Sequence, residues 1–159
     1  MVVALPFVLA SLSTGAAPPT GEPPEEELYV VADVSADKTR CNEHTAERID
    51  LERLASAGEG LRGRCVAVNG YLSGRALFAN RADTRVRYAQ SVRTLRARRV
   101  GLYGLSKALP GSAPRRGFYK VIGTVGDCDR LAEGAIMVMG YCHYTVGPYL
   151  AVSELRRLR

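Results

Sequence analysis

The stretch RCVAVNGYL, Arg64 to Leu72, decides the fold class. Val66, Val68, Gly70 and Leu72 share one face of an extended chain, and Cys65, Ala67, Asn69 and Tyr71 share the other. This period of two predicts a half-buried strand, and Ser73-Gly74 predicts the turn after it. RALFAN (75–80) then returns as the second strand of a hairpin. A third strand is expected at RRVGLYGL (98–105), after an arginine-rich stretch whose conformation the pattern leaves open. SKALPGSAPRRG (106–117) reads as a loop from its proline and glycine content.

The fourth strand is FYKVIGTVGDC (118–128), with Tyr119, Val121, Gly123 and Val125 on one face and Ile122 and Thr124 on the other. DRLAEGA can form one helical turn. IMVMGYCHY (136–144) and PYLAVSEL (148–155) read as the last strands, joined at Val146-Gly147-Pro148. Upstream, LYVVADV (28–34) is a short strand or an extended arm. Ile49, Leu51, Leu54 and Ala55 fall near a 3.6-residue period and predict a helix over 45–57, stopped by Gly58 and Gly60.

Five or six short strands with glycines inside several of them (Gly70, Gly104, Gly123, Gly140) describe a mainly β protein: a small five- to six-stranded barrel with one N-terminal helix packed on it. Residues 62–155 resemble an OB-fold. The likeness rests on Val66 to Leu72 with its Gly70, on VIGTV (121–125), and on the closing strand Tyr149 to Leu155. The longer helix of that fold between its third and fourth strands is replaced by the 106–117 loop, which leaves an irregular barrel or a two-layer sandwich as alternatives. The resemblance implies binding of oligonucleotides or oligosaccharides across the middle strands.

The first lysine or arginine is Lys38. VVALPFVLASL (2–12) is too short to span a bilayer and has the size of a signal-peptide h-region, with small residues at Thr14 to Ala17. A signal peptide over 1–17 is therefore expected, then a Pro/Glu-rich tether and arm over 18–37, then one domain over 38–159. The expected product is soluble, periplasmic or extracellular. Cys41, Cys65, Cys128 and Cys142 are even in number and would form two disulfides in that oxidising compartment. The strand reading favours Cys41 with Cys65, pinning the helix to the barrel, and Cys128 with Cys142, clamping the excursion between the last strands. OB-like topology offers Cys65 with Cys128 as the competing pair.

The chain carries 22 basic and 16 acidic residues, net +6. With Glu22, Glu25, Glu26 and Glu27 set aside in the tether, 12 acids remain against all the bases, so the folded part is strongly basic. Between Arg75 and Arg116 there are eleven bases and one acid, Asp83. Such a cluster suits an anionic partner: nucleic acid, acidic glycan or an anionic lipid surface. Nineteen of the bases are arginine, and arginine-rich composition is the alternative account.

The candidate ligand-binding residues are Tyr71, Phe78 and Tyr103 as stacking platforms, with Arg75, Arg81, Arg85, Arg87, Arg96, Arg98 and Arg99 beside them. No catalytic motif, cofactor or metal is expected. Cys41-x-x-His44 with Cys142-His143 is not a structural-zinc spacing, and adjacent strand residues point to opposite faces. His143 is expected to face outward beside Tyr141 and Met139. The function expected is an exported binding module for an anionic ligand; the alternative is a structural or protein-interaction module of the cell envelope.

Overall fold

The computed structural model describes residues 29–31, 34–87, 95–108, 114–133, 135–143 and 145–159. The expected signal peptide and most of the tether lie outside them. In chain order the elements are β1 (Tyr29–Val31), β2 (Glu47–Arg48), α1 (Leu51–Ser56), β3 (Cys65–Ser73), β4 (Ala76–Phe78), β5 (Arg99–Tyr103), α2 (Leu105–Ala108), β6 (Gly117–Asp127), α3 (Cys128–Leu131), β7 (Ala135–Val138) and β8 (Pro148–Arg157).

β3 pairs antiparallel with β4 through Tyr71–Ser73 and, on its other edge, antiparallel with β6 through Cys65–Leu72. β4 continues to β5, β5 runs parallel to β8, and β8 pairs antiparallel with β6. The ring β3-β4-β5-β8-β6 therefore closes on itself, so hydrogen bonding leaves no long open edge. The structure is the mainly β barrel with a helix that the alternation predicts, and its closed five-strand ring matches the expectation from the OB-fold resemblance.

The two faces assigned to β3 and β6 separate as their period dictates. Val66, Val68, Leu72, Tyr119, Val121 and Val125 point into the barrel with Leu77, Val100, Leu102, Leu150 and Val152. Each fully buried aliphatic side chain of this kind contributes about 1.5–3 kcal/mol. Leu51, Leu54 and Ala55 of α1 join the same cluster, so the helix plugs the barrel. Gly70 makes room for this: a Cβ there would stand 2.7 Å from Leu77 Cγ and 2.9 Å from Leu51 Cδ1.

Three boundaries differ from expectation. The helix predicted over 45–57 is six residues long, because β4 covers only the end of β3 and leaves the edge near Val66 and Ala67 unsatisfied. The chain at Glu47–Arg48 pairs there in parallel, and the Ile49 amide donates to the Ala67 carbonyl at 3.1 Å. Sheet pairing overrides helical periodicity until Asp50. The 106–117 loop begins as a helical turn, Leu105–Ala108, in the place of the helix whose loss the resemblance suggested.

The third difference is in 136–144. The strand ends at Val138; Gly140, at φ +86°, turns the chain into a 3₁₀ turn over Tyr141–His143. Tyr103 enforces this bend by donating its hydroxyl to the Met139 carbonyl at 2.7 Å and accepting the Cys142 amide at 3.0 Å. His143 is exposed, as expected, but Tyr141 turns inward and is buried instead of sharing its face. β7 pairs in parallel with β1, forming a small second sheet.

Both disulfides are the favoured pairs, Cys41–Cys65 and Cys128–Cys142. Each ties a barrel strand to a segment lying over it. Cys41–Cys65 sits with Ala67 and Ile122 under the 36–46 segment, and Cys128–Cys142 closes the 128–147 excursion.

The Tyr141 ring lies so close over Gly101 that a Cβ at Gly101 would fall 2.0 Å from Tyr141 Cδ1. Gly101→Ala should therefore destabilise the fold by about 1–3 kcal/mol in urea denaturation, the usual cost of overpacking. The same substitution in a Tyr141→Ala background should cost much less, and equal costs in both backgrounds would show that the contact is unimportant.

Burial holds the Tyr149 hydroxyl above its ordinary pKa of 10.0, with Tyr103 and Asp127 adding to the effect. The folded state then keeps this proton to higher pH than the unfolded state does, so stability falls as pH rises past about 10. Tyr149→Phe should flatten that alkaline loss in thermal unfolding measured from pH 8 upward.

Candidate functional site

The residues proposed from sequence do not form one face. Phe78 and Tyr103, 5% and 1% exposed, lie on the outer side of β4 and β5, where the excursion covers them. Tyr103 meets Tyr149 edge-on at 5.0 Å and carries the two excursion hydrogen bonds. Neither ring can stack on a ligand. The middle-strand face that the OB resemblance points to is thus occupied by the protein's own chain.

Arg99, 2% exposed, is a strut. Its guanidinium stands 5.0 Å above the Tyr141 ring, and Nη2 donates to Thr145 Oγ1 at 3.0 Å, so it braces the excursion. Arg98 lies 3.7 Å from Asp83. Arg75 reaches toward Gly140, and Arg87 is exposed. The side chain of Arg96 lies outside the described residues.

Tyr71, Arg81 and Arg85 do come together, with partners that sequence reasoning missed. β3–β6 pairing sets Tyr71 directly opposite Phe118, and their rings pack at 4.8 Å with a 44° tilt. Both are half-buried at the floor of a cleft of about 440 Å³. Arg81 and Arg85 enter from the 3₁₀ turn Ala82–Arg85, Arg116 from the start of β6, and Arg157 from the end of β8. Arg157 lies over Gly117, where a Cβ would approach its Nε to 3.1 Å.

Arg116 and Arg157 were missed because their place depends on the β3–β6–β8 register, which strand periodicity does not reveal. The local signal was Arg115-Arg116-Gly117-Phe118, two cations leading directly into an aromatic strand residue.

Among the described residues no carboxylate lines the cleft, and none of Arg81, Arg85, Arg116 and Arg157 takes part in an ion pair. Four like charges around an apolar floor repel one another and attract an anion. Their forked donors suit phosphate, sulfate or carboxylate oxygens, and the Tyr71/Phe118 pair supplies a surface for a flat or ring-shaped group.

The motif around Cys142 and His143 has no such character. Cys142 is consumed by its disulfide, and His143 Nδ1 lies 2.9 Å from the Val138 carbonyl. Among the described residues, no three His, Cys, Asp or Glu side chains converge as a metal site would require. No helix of the described residues is long and apolar enough to cross a membrane. No family model, curated protein or solved structure matches the chain.

The covering of the middle-strand face has a measurable consequence. Replacing Cys128 and Cys142 together by alanine should cost about 3 kcal/mol of stability, the entropic worth of closing a loop of this length. Hydrogen exchange should quicken first at residues 135–143, with the β3–β6 ladder still protected. Uniform acceleration across both would show that the excursion and barrel unfold as one unit.

Proposed function

We propose that this protein is an exported binding module that holds an anionic ligand in the Tyr71/Phe118 cleft. The observation that carries the reading is the convergence of four arginines, none ion-paired among the described residues, on a half-buried aromatic pair. Export is supported by the sequence of residues 1–17 and by two disulfides, which suit an oxidising compartment. The ligand face differs from the one that OB resemblance implies: it uses the outer side of β3 and β6, the side not covered by the excursion.

A second reading, an envelope protein-interaction module, is favoured by one observation. Met137, Met139 and Val146 expose large apolar side chains on the excursion, at 45%, 46% and 44%. The two readings use different surfaces and are separable by mutation.

The test is fluorescence anisotropy of the oxidised protein with a labelled acidic hexasaccharide and a labelled oligothymidylate, across a salt series. Binding to at least one should weaken steeply with salt. Arg85→Glu and Arg116→Glu should each lower affinity about tenfold or more, the worth of a charge-assisted contact, and Tyr71→Ala should lower it several-fold. Met137→Ser with Met139→Ser should leave it unchanged. Absence of binding at low salt, or indifference to both arginine substitutions, would overturn the proposal in favour of the second reading.

A further inference from the structure

The outer face that holds the cleft does not end there. Along β3 the outward residues Ala67, Asn69 and Tyr71 stand opposite Ile122, Lys120 and Phe118 of β6. Across the next ladder Lys120 stands opposite Arg156, and the Leu158 amide donates to the Phe118 carbonyl at 2.8 Å. The Ala67/Ile122 row is covered by the segment that Cys41–Cys65 holds down. The Asn69/Lys120 and Tyr71/Phe118 rows remain accessible.

Beyond Asn69 and Lys120 lies a second hollow of about 460 Å³, whose cations are Arg48, Arg53 and Lys120. Both hollows fall in the size range of sites for small organic groups. Asn69 and Lys120 line the second, one outward-facing row along the β3–β6 ladder from Tyr71 and Phe118, and Leu158 lines it too. From residue 67 to residue 71 the strand advances about 13 Å, at roughly 3.3 Å per residue. A single small anion fills one hollow and leaves the other unused.

The charge differs along this path. Among the described residues the cleft has four arginines and no carboxylate, whereas the second hollow includes Asp50, and its Lys120 is ion-paired with Glu43, which also lies 3.9 Å from Arg48. Lys120 holds the Glu43 carboxyl below its ordinary range, mainly through their hydrogen bond. A ligand matching this path has its densest negative charge in the cleft, and neutral polar groups with fewer acids beyond it.

Resting on the cleft reading above, we infer that the ligand is a linear acidic glycan lying along the outer face of β3 and β6, with one acidic sugar in the Tyr71/Phe118 cleft and the following sugars over Asn69 and Lys120 toward Arg48 and Arg53. Carboxylate-bearing and sulfate-bearing sugars share the required chemistry. A single-stranded nucleic acid fits less well, because successive bases need successive stacking platforms. Tyr71 and Phe118 pack on each other and form one platform, and among the described aromatics Phe78, Tyr103, Tyr119, Tyr141 and Tyr149 are buried. Beyond that platform Asn69 offers an amide donor and acceptor, which suits sugar hydroxyls.

The experiment measures affinities of labelled di-, tetra- and hexauronates, a sulfated hexasaccharide and an oligothymidylate of matched charge. The proteins are the oxidised wild type, Arg48→Glu/Arg53→Glu and Arg85→Glu/Arg116→Glu, each first shown by circular dichroism and thermal unfolding to be folded. A hexasaccharide, uronate or sulfated, should bind about tenfold tighter than the diuronate. Arg48→Glu/Arg53→Glu should abolish that gain without changing diuronate affinity, and Arg85→Glu/Arg116→Glu should weaken every saccharide.

Affinity independent of length, or a hexasaccharide indifferent to Arg48→Glu/Arg53→Glu, would overturn the extended path and leave a single-anion cleft. Tighter binding of oligothymidylate than of any saccharide would overturn the glycan assignment while sparing the cleft. Failure of all the probes to bind at low salt would remove both this inference and the function on which it rests.

Discussion

β3 must satisfy two edges at once, and the rest of the structure follows from how it does so. Cys65–Leu72, all but its last residue, pairs with β6, while only its last three residues pair with β4. The first pairing closes the barrel. The shortness of the second leaves an open edge at Val66 and Ala67, which recruits Glu47–Arg48 and so delays the helix until Asp50. The same β3–β6 register sets Tyr71 against Phe118, so one ladder both seals the hydrophobic core and builds the floor of the candidate site.

The other side of the barrel is governed by small residues and a tyrosine. Gly101 admits the Tyr141 ring, Gly140 adopts a left-handed turn, and Tyr103 ties the Met139 carbonyl and the Cys142 amide. Arg99 places a cation over the face of the same ring. These contacts convert a strand face into buried interior, where each polar atom of Tyr103 and Arg99 that engages the excursion offsets part of the cost of leaving water. Two of the barrel's outer faces therefore have different characters: one dry and covered, the other basic and open.

Much of this is legible in the sequence. The alternation in 64–72 and 118–128 reports the inward and outward faces correctly, and the disulfide pairs follow from where the cysteines fall on those strands. What could not be read is cross-strand placement. Phe78, Arg99 and Tyr103 look like surface candidates because their strands are flanked by arginines, yet a segment about forty to sixty residues downstream covers them. Of the residues that line the cleft, the sequence singles out Tyr71, Arg81 and Arg85 but not Phe118, Arg116 and Arg157, since their proximity is a property of register between strands distant in sequence. The helix boundary failed for a related reason: residues 47 and 48 answer to the hydrogen-bonding needs of β3 more than to their own periodicity.

The excursion leaves and rejoins the barrel at nearly one point. The Cys128 amide donates to the Gly147 carbonyl at 2.9 Å, and the α-carbons of Cys128 and Cys142 are 5.2 Å apart. A segment whose two ends are already neighbours imposes no span on what lies between them, and lengthening it adds little to the cost of closure. The barrel strands on either side are fixed by their own ladder, from Tyr119 opposite Arg157 to Asp127 opposite Pro148. The excursion is in this sense a modular insert: its length can change with little strain on the β3–β6 face, while the residues that seat it, Tyr141, Cys142 and Thr145, are fixed by Gly101, Cys128 and Arg99.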